Sequence, residues 1–167
     1  MTLLWTQVGC DGGDGSDPAD PAPDFTLTDT NADSPSYGQA RSLAEAQGRV
    51  IVLQFIFHSR GICVSQFAIL EQMLQQWRAD GYDPEDVEVW TVARSGDEGS
   101  IDSFASGSTS SCFLDGASVF SAYDAAKDDV FIIDREGRIR HRFDSGEDSL
   151  SNSAQREKVD GWVRALL

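Results

Sequence analysis

The chain has 167 residues, 40% hydrophobic and 25% charged, enough for one domain with a core of its own and short for two. Its formal net charge is −15 at pH 7, which argues against nucleic acid and anionic membrane surfaces as partners, because phosphate binding needs clustered Lys and Arg. No apolar run approaches the ~20 residues of a membrane-spanning helix.

Residues 1–22 carry Gly, Asp and Pro without a hydrophobic period and read as a flexible segment, the folded domain being residues 23–167. In that segment Leu3-Leu4-Trp5 lead into Val8-Gly9-Cys10, and Asp11-Gly12-Gly13-Asp14 follow. This resembles the end of a bacterial lipoprotein signal, with a lipid on Cys10 as the one contact with a membrane; a disordered tail is the alternative. The expected location is the cell envelope or periplasm, with the cytoplasm as the alternative.

Phe25-Thr26-Leu27-Thr28 alternates as a half-buried strand does. From Asp29 to Gln47 the sequence is turn-rich, with one helical turn around Leu43. Val50 to Phe57 is a near-continuous β-branched and aromatic run, the composition of a parallel strand buried on both faces. His58-Ser59-Arg60-Gly61-Ile62 breaks it. Cys63, Phe67, Leu70, Leu74 and Trp77 then form one stripe of an amphipathic helix, closed by Gly81 and Pro84.

Val87 to Ala93 predicts a second central strand. A short helix is expected near Ile101 to Phe104, then a Ser/Gly loop, with Cys112-Phe113-Leu114 as a strand start and Val119 to Ala125 as a helix. Val130 to Asp134, Arg135-Glu136-Gly137 and Arg138 to Phe143 read as a hairpin, and Gln155 to Leu167 as the last helix. The order predicts an α/β fold: a mixed central sheet flanked by helices on both faces, with an antiparallel edge hairpin.

Three stretches resemble the redoxin superfamily of the AhpC/TSA type, which joins thiol-disulfide oxidoreductases with peroxiredoxins. They are Ala22 to Asp29, Gly48 to Phe55, and Phe131 to Ile139. The resemblance implies a thioredoxin-like fold, with the redox motif at the junction between the central strand and its helix. The motif is incomplete. Where thioredoxin-like members carry two cysteines separated by two residues, this chain reads Arg60-Gly61-Ile62-Cys63. Peroxiredoxins place Thr-x-x-Cys in the same window, and Arg60 replaces that Thr. Their later arginine, and the cis-proline of thioredoxins, both fall near Asp128, where the chain reads Lys127-Asp128-Asp129-Val130.

Cys63 would occupy the first turn of a helix, where free N–H groups and the macrodipole favour a thiolate, and Arg60 would add positive charge. The alternative is a small buried hydrophobe on the core stripe. Cys112 would resolve a Cys63 disulfide or sulfenic acid, or else be an isolated buried cysteine. His58 is a proton donor beside Cys63 or a structural histidine, and His141 has no chemical context. Copper-binding members of the superfamily use Cys-x-x-x-Cys, and Ser59 stands at its first place, so no metal is expected. No Gly-rich phosphate loop follows a strand, so no cofactor is expected either.

The function expected is that of a thiol-based oxidoreductase with Cys63 as nucleophile, Arg60 stabilising its thiolate and Cys112 resolving. Its partners would be protein disulfides or thiols, or a hydroperoxide. The alternative is a redox-inactive thioredoxin-fold module for binding or assembly.

Overall fold

A computed structural model describes residues 19–57, 61–96, 101, 103–144 and 149–167, and for residues 61–63 the backbone alone. Cys10 and the tail up to residue 18 therefore lie outside the described residues. The first strands, β1 (Thr26–Thr28) and β2 (Ala40–Ser42), pair with each other antiparallel. The main sheet is built from β3 (Val50–Ile56), β4 (Val87–Arg94), β5 (Ser111–Asp115), β6 (Val130–Ile133) and β7 (Ile139–Phe143), in the order β5-β4-β3-β6-β7. β3 runs parallel to β4 and β4 to β5, whereas β6 and β7 join antiparallel. The sheet is mixed, as expected, and the hairpin β6–β7 forms one edge. Its turn is set by Gly137, whose φ of 76° is a conformation that favours glycine.

Strand β3 is central because all seven of its residues are buried, and its side chains feed two cores. Val50 and Val52 pack with Leu70, Leu74 and Trp77 of α1 (Gly61–Ala79), and with Val159 and Val163 of the C-terminal helix (Ser153–Arg164). Ile51, Leu53 and Phe55 pack on the other face with Phe25, Trp90, Phe113 and Phe131, and with Val119 and Phe120 of the short helix α2 (Ser118–Ala122). The C-terminal helix is thus α3, and the Trp77 indole nitrogen donates to Asp160 at 2.7 Å to join α1 to it. Among the described elements, α1 and α3 cover one face and α2 the other.

Several boundaries differ from the sequence reading for identifiable reasons. The expected turn-rich region holds β2, with a 3-10 turn at Ala44–Ala46. Tertiary contacts place it there: Arg41 reaches Glu88 on β4 with two hydrogen bonds of 2.7 and 3.2 Å and lies over the Trp90 ring at 4.6 Å. Helix α2 stops at Ala122, short of the expected Ala125, because Asp124 turns left-handed with φ of 46°. Its start is held by the Asp115 carboxylate, which accepts from the backbone of Ser118, Val119 and Phe120. Helix α3 begins two residues early, capped by the Asn152 side chain. At the other end of the domain, Asp20 and Ala22 already bond to the hairpin through Ile139 and Gly137.

Candidate functional site

The site is delivered by β3. Beyond Ile56 the chain continues through Phe57, whose ring stacks on Phe120 at 5.2 Å, and α1 starts four residues later at Gly61. Cys63 is the third residue of this 19-residue helix, within its first turn. Backbone N–H groups there have no intrahelical acceptor, so the position stabilises negative charge. The side chain of Cys63, together with His58, Ser59 and Arg60, lies outside the described residues.

Around the first turns of α1 the described side chains form a polar seam. Gln66 is buried, and its Nε2 donates to the backbone oxygen of Asp128 at 2.6 Å. Asp128 stands at the loop before β6 with φ of 66°, nearly fully buried, its N–H bonded to Phe55 O at 2.8 Å. The next residue accepts from Phe55 N at 2.9 Å through its backbone oxygen. Its carboxylate, Asp129 Oδ2, takes an ion pair from Arg142 at 2.7 Å and a hydrogen bond from Ala126 N at 2.9 Å. The loop is therefore fastened to β3 on one side and to α1 on the other. Below it, Gln54 lies buried in β3 with neither amide atom hydrogen-bonded, in register with Thr91, which is in register with Cys112.

Cys112 is fully buried in β5, packed with Phe67, Ile56 and Ala93, so it sits against the helix one turn beyond Cys63. Its N–H donates to Asp29 Oδ1 at 3.1 Å, and its carbonyl accepts from Thr30 N at 2.8 Å. Burial first, then the Asp29 and Glu71 carboxylates, push its thiol far above the ordinary range. Of the expected site residues, Cys63 is thus placed by its backbone and Cys112 by its full environment, and Arg60 is outside the described residues. His141 is stacked on Trp162 at 4.4 Å, in α3, away from this seam.

Three residues of the site escaped the sequence reading. Gln66 reads as an ordinary polar helix position. Asp128 stands in the sequence only where the family's arginine or cis-proline would fall, with nothing to mark its own carbonyl as a partner of α1. Arg94, at the end of β4, lies with its guanidinium 5.4 Å from the centre of the Phe57 ring; nothing in its sequence neighbourhood marks it.

Comparison with solved structures supports the same architecture. A Bacteroides thetaiotaomicron protein named as a candidate protein disulfide isomerase aligns at 26% identity, covering 89% of each chain, with a TM-score of 0.70. A secreted Mycobacterium tuberculosis disulfide oxidoreductase homologous to DsbE aligns at 20% identity over 85% of this chain and 96% of that one, TM-score 0.66. BsSco, of the Sco family of cytochrome c oxidase assembly proteins, aligns at 13% identity over 89% and 94%, also at 0.66. These last two share the fold. A search of the curated proteins finds none that matches. The sequence itself matches the AhpC/TSA family over residues 18–142, three quarters of its length; with a thioredoxin-like sheet and the helix that follows its central strand, the chain belongs to that family.

Proposed function

We propose that the protein is a thiol-disulfide oxidoreductase of thioredoxin type that works through Cys63. The observation that carries the reading is the position of Cys63 in the first turn of a 19-residue helix, fed by a wholly buried central strand. Helix N–H groups and the positive end of the dipole favour its thiolate, and Arg60, three residues earlier, adds positive charge.

The Cys63 thiolate attacks one sulfur of a substrate disulfide. The S–S bond breaks, a mixed disulfide forms, and the other substrate sulfur leaves as a thiolate. A second, external thiolate then attacks the substrate-side sulfur of the mixed disulfide, which regenerates the Cys63 thiolate and pairs the two external sulfurs. No net oxidant is needed. Cys112 would offer an internal route by closing a Cys63–Cys112 disulfide. Its burial and raised pKa favour the external thiol, because the thiolate is the attacking species. A hydroperoxide in place of the disulfide would give a Cys63 sulfenic acid and an alcohol or water. One external thiol would condense with the sulfenic acid, releasing water and leaving a mixed disulfide, and a second thiol would open that to regenerate the Cys63 thiolate.

The second reading, a redox-inactive binding module, is favoured by Arg60 at the place of the first cysteine. Trapping separates the two. The parent chain forms a mixed disulfide at Cys63 on incubation with an oxidised model peptide, and Cys63→Ser abolishes both adduct and turnover. No adduct in the parent chain favours the module, and exchange that survives Cys63→Ser overturns Cys63 as the nucleophile. Location in the envelope, with a lipid on Cys10, completes the proposal. It is supported by the sequence around Cys10 and by the likeness to a secreted oxidoreductase. The mass of the Cys10 peptide from membrane fractions tests it.

A further inference from the structure

At the end of the sheet that feeds the Cys63 loop, on the face opposite α1, there is a cavity of about 290 Å³ lined by Phe57, Arg94, Ala117, Phe120 and Asp124, among others. That is near the lower end of the range for small-ligand sites, roughly 300–1,000 Å³. Phe57 precedes Cys63 by six positions, so one wall belongs to the segment that delivers the thiol. The stacked rings of Phe57 and Phe120, 5.2 Å apart and 16° from parallel, make that wall aromatic.

Arg94 sets the character of the cavity. Among the described residues it is the one arginine that donates no hydrogen bond and makes no ion pair. The others bond to carboxylates or carbonyls, as Arg41 does to Glu88, Arg142 to Asp129 and Arg78 to Val87 O. In a chain of net charge −15, a guanidinium without a carboxylate partner among the described residues is unusual. Asp124 lines the same cavity and does not pair with it, since the guanidinium is laid over the Phe57 ring instead. Backbone conformation points to the same place. Three non-glycine residues among those described have positive φ; Ala117 (88°) and Asp124 (46°) line this cavity, and Asp128 follows in the loop beyond it. Such conformations persist where the surroundings enforce them, and they concentrate at ligand-binding sites.

We infer that this cavity receives a carboxylate carried next to the reacting sulfur of the substrate, the anion on Arg94 and its apolar stem against Phe57 and Phe120. The inference rests on the reading of Cys63 as nucleophile and adds the substrate class: a thiol or disulfide bearing a carboxylate. Arg binds carboxylate through a planar fork of donors, and stacking on an aromatic face holds that fork ready.

The test uses two aromatic disulfides and the whole chain with Cys10→Ser, so that, with Cys112 buried, the thiol read is Cys63. One probe, 5,5′-dithiobis(2-nitrobenzoate), carries carboxylates; the other, 4,4′-dithiodipyridine, carries none. The ratio of the two rates, carboxylated over neutral, is expected to fall about tenfold on Arg94→Gln, the scale of one charge-assisted contact, and to recover in part with Arg94→Lys. An unchanged ratio overturns the inference. If Cys63→Ser reacts with both probes as fast as its parent, the underlying reading fails instead. A mixed-disulfide peptide with Glu or Gln beside its cysteine then locates the source. A preference for Glu that Arg94→Gln removes assigns the carboxylate to polypeptide substrates; no preference, with the probe ratio still dependent on Arg94, assigns it to a small carboxylated thiol.

Discussion

The Nε2 of Gln66 lies 2.6 Å from the backbone oxygen of Asp128, so one hydrogen bond ties the early turns of α1 to the loop that precedes β6. Both residues are almost wholly buried. A buried carbonyl stripped of its donor costs about 1–3 kcal/mol. Gln66→Leu, which removes the donor and keeps most of the bulk, is therefore expected to lower stability by that amount in urea unfolding. A loss below a few tenths of a kcal/mol would mean that the contact does not hold the loop.

Ala117 has φ of 88°, where a side chain is strained and glycine is not. Ala117→Gly is expected to stabilise the fold by about 0.5–1 kcal/mol, the relief of left-handed strain less the extra chain entropy of glycine. Calorimetry would read this as a rise of roughly 1–4 °C in Tm.

Glu88 makes stability depend on pH. Its burial works to raise its pKa, but hydrogen bonds from Arg41 and Trp90 and the charges of Arg41 and Arg49 outweigh that, and the carboxyl stays below its ordinary value. A carboxyl with a depressed folded pKa contributes stability above the unfolded value of about 4.3 that is lost as pH falls through the folded value. Acid unfolding should thus steepen below about pH 4.3, and Glu88→Gln should flatten that limb while lowering stability at pH 7. An unchanged limb would show that the Arg41–Glu88–Arg49 contact contributes little.

Cys112 should be silent in the folded chain. Its burial and raised pKa keep it protonated, so iodoacetamide at pH 8 should label Cys63 and leave Cys112 unmodified until denaturant is added. Peptide mapping decides this. Labelling of Cys112 without denaturant would show that β5 opens in the native state, and would restore an internal resolving role.

Elements built from local periodicity were legible in the sequence. The β-branched run of β3, the stripe from Cys63 to Trp77 and the hairpin turn at Gly137 each carry their own signal. Strand β2 was not, since three residues, Ala40, Arg41 and Ser42, hold no period and are placed by Glu88 and Trp90 more than forty positions away. The turn-rich reading of the stretch from Asp29 stands in its first part, where the buried Asp29 carboxylate accepts from Asn31 N, Ser34 Oγ and Ser36 Oγ. Its further hold on Cys112 N, across 83 positions, is tertiary and left no trace. The candidate site divides likewise. Cys63 was marked by the strand-to-helix junction, whereas Arg94 became visible only once the other described arginines were seen to be partnered.

The central claim is that Cys63 is a nucleophile activated by its place in α1. Its most direct test is the pH dependence of the rate at which iodoacetamide alkylates the reduced Cys10→Ser chain. The account predicts a thiolate titration with its midpoint clearly below ~8.5, the value of a free cysteine, and complete loss of that phase in Cys63→Ser. A midpoint at or above ~8.5, or no reaction until the protein unfolds, would contradict it and leave a thioredoxin-fold module without thiol chemistry.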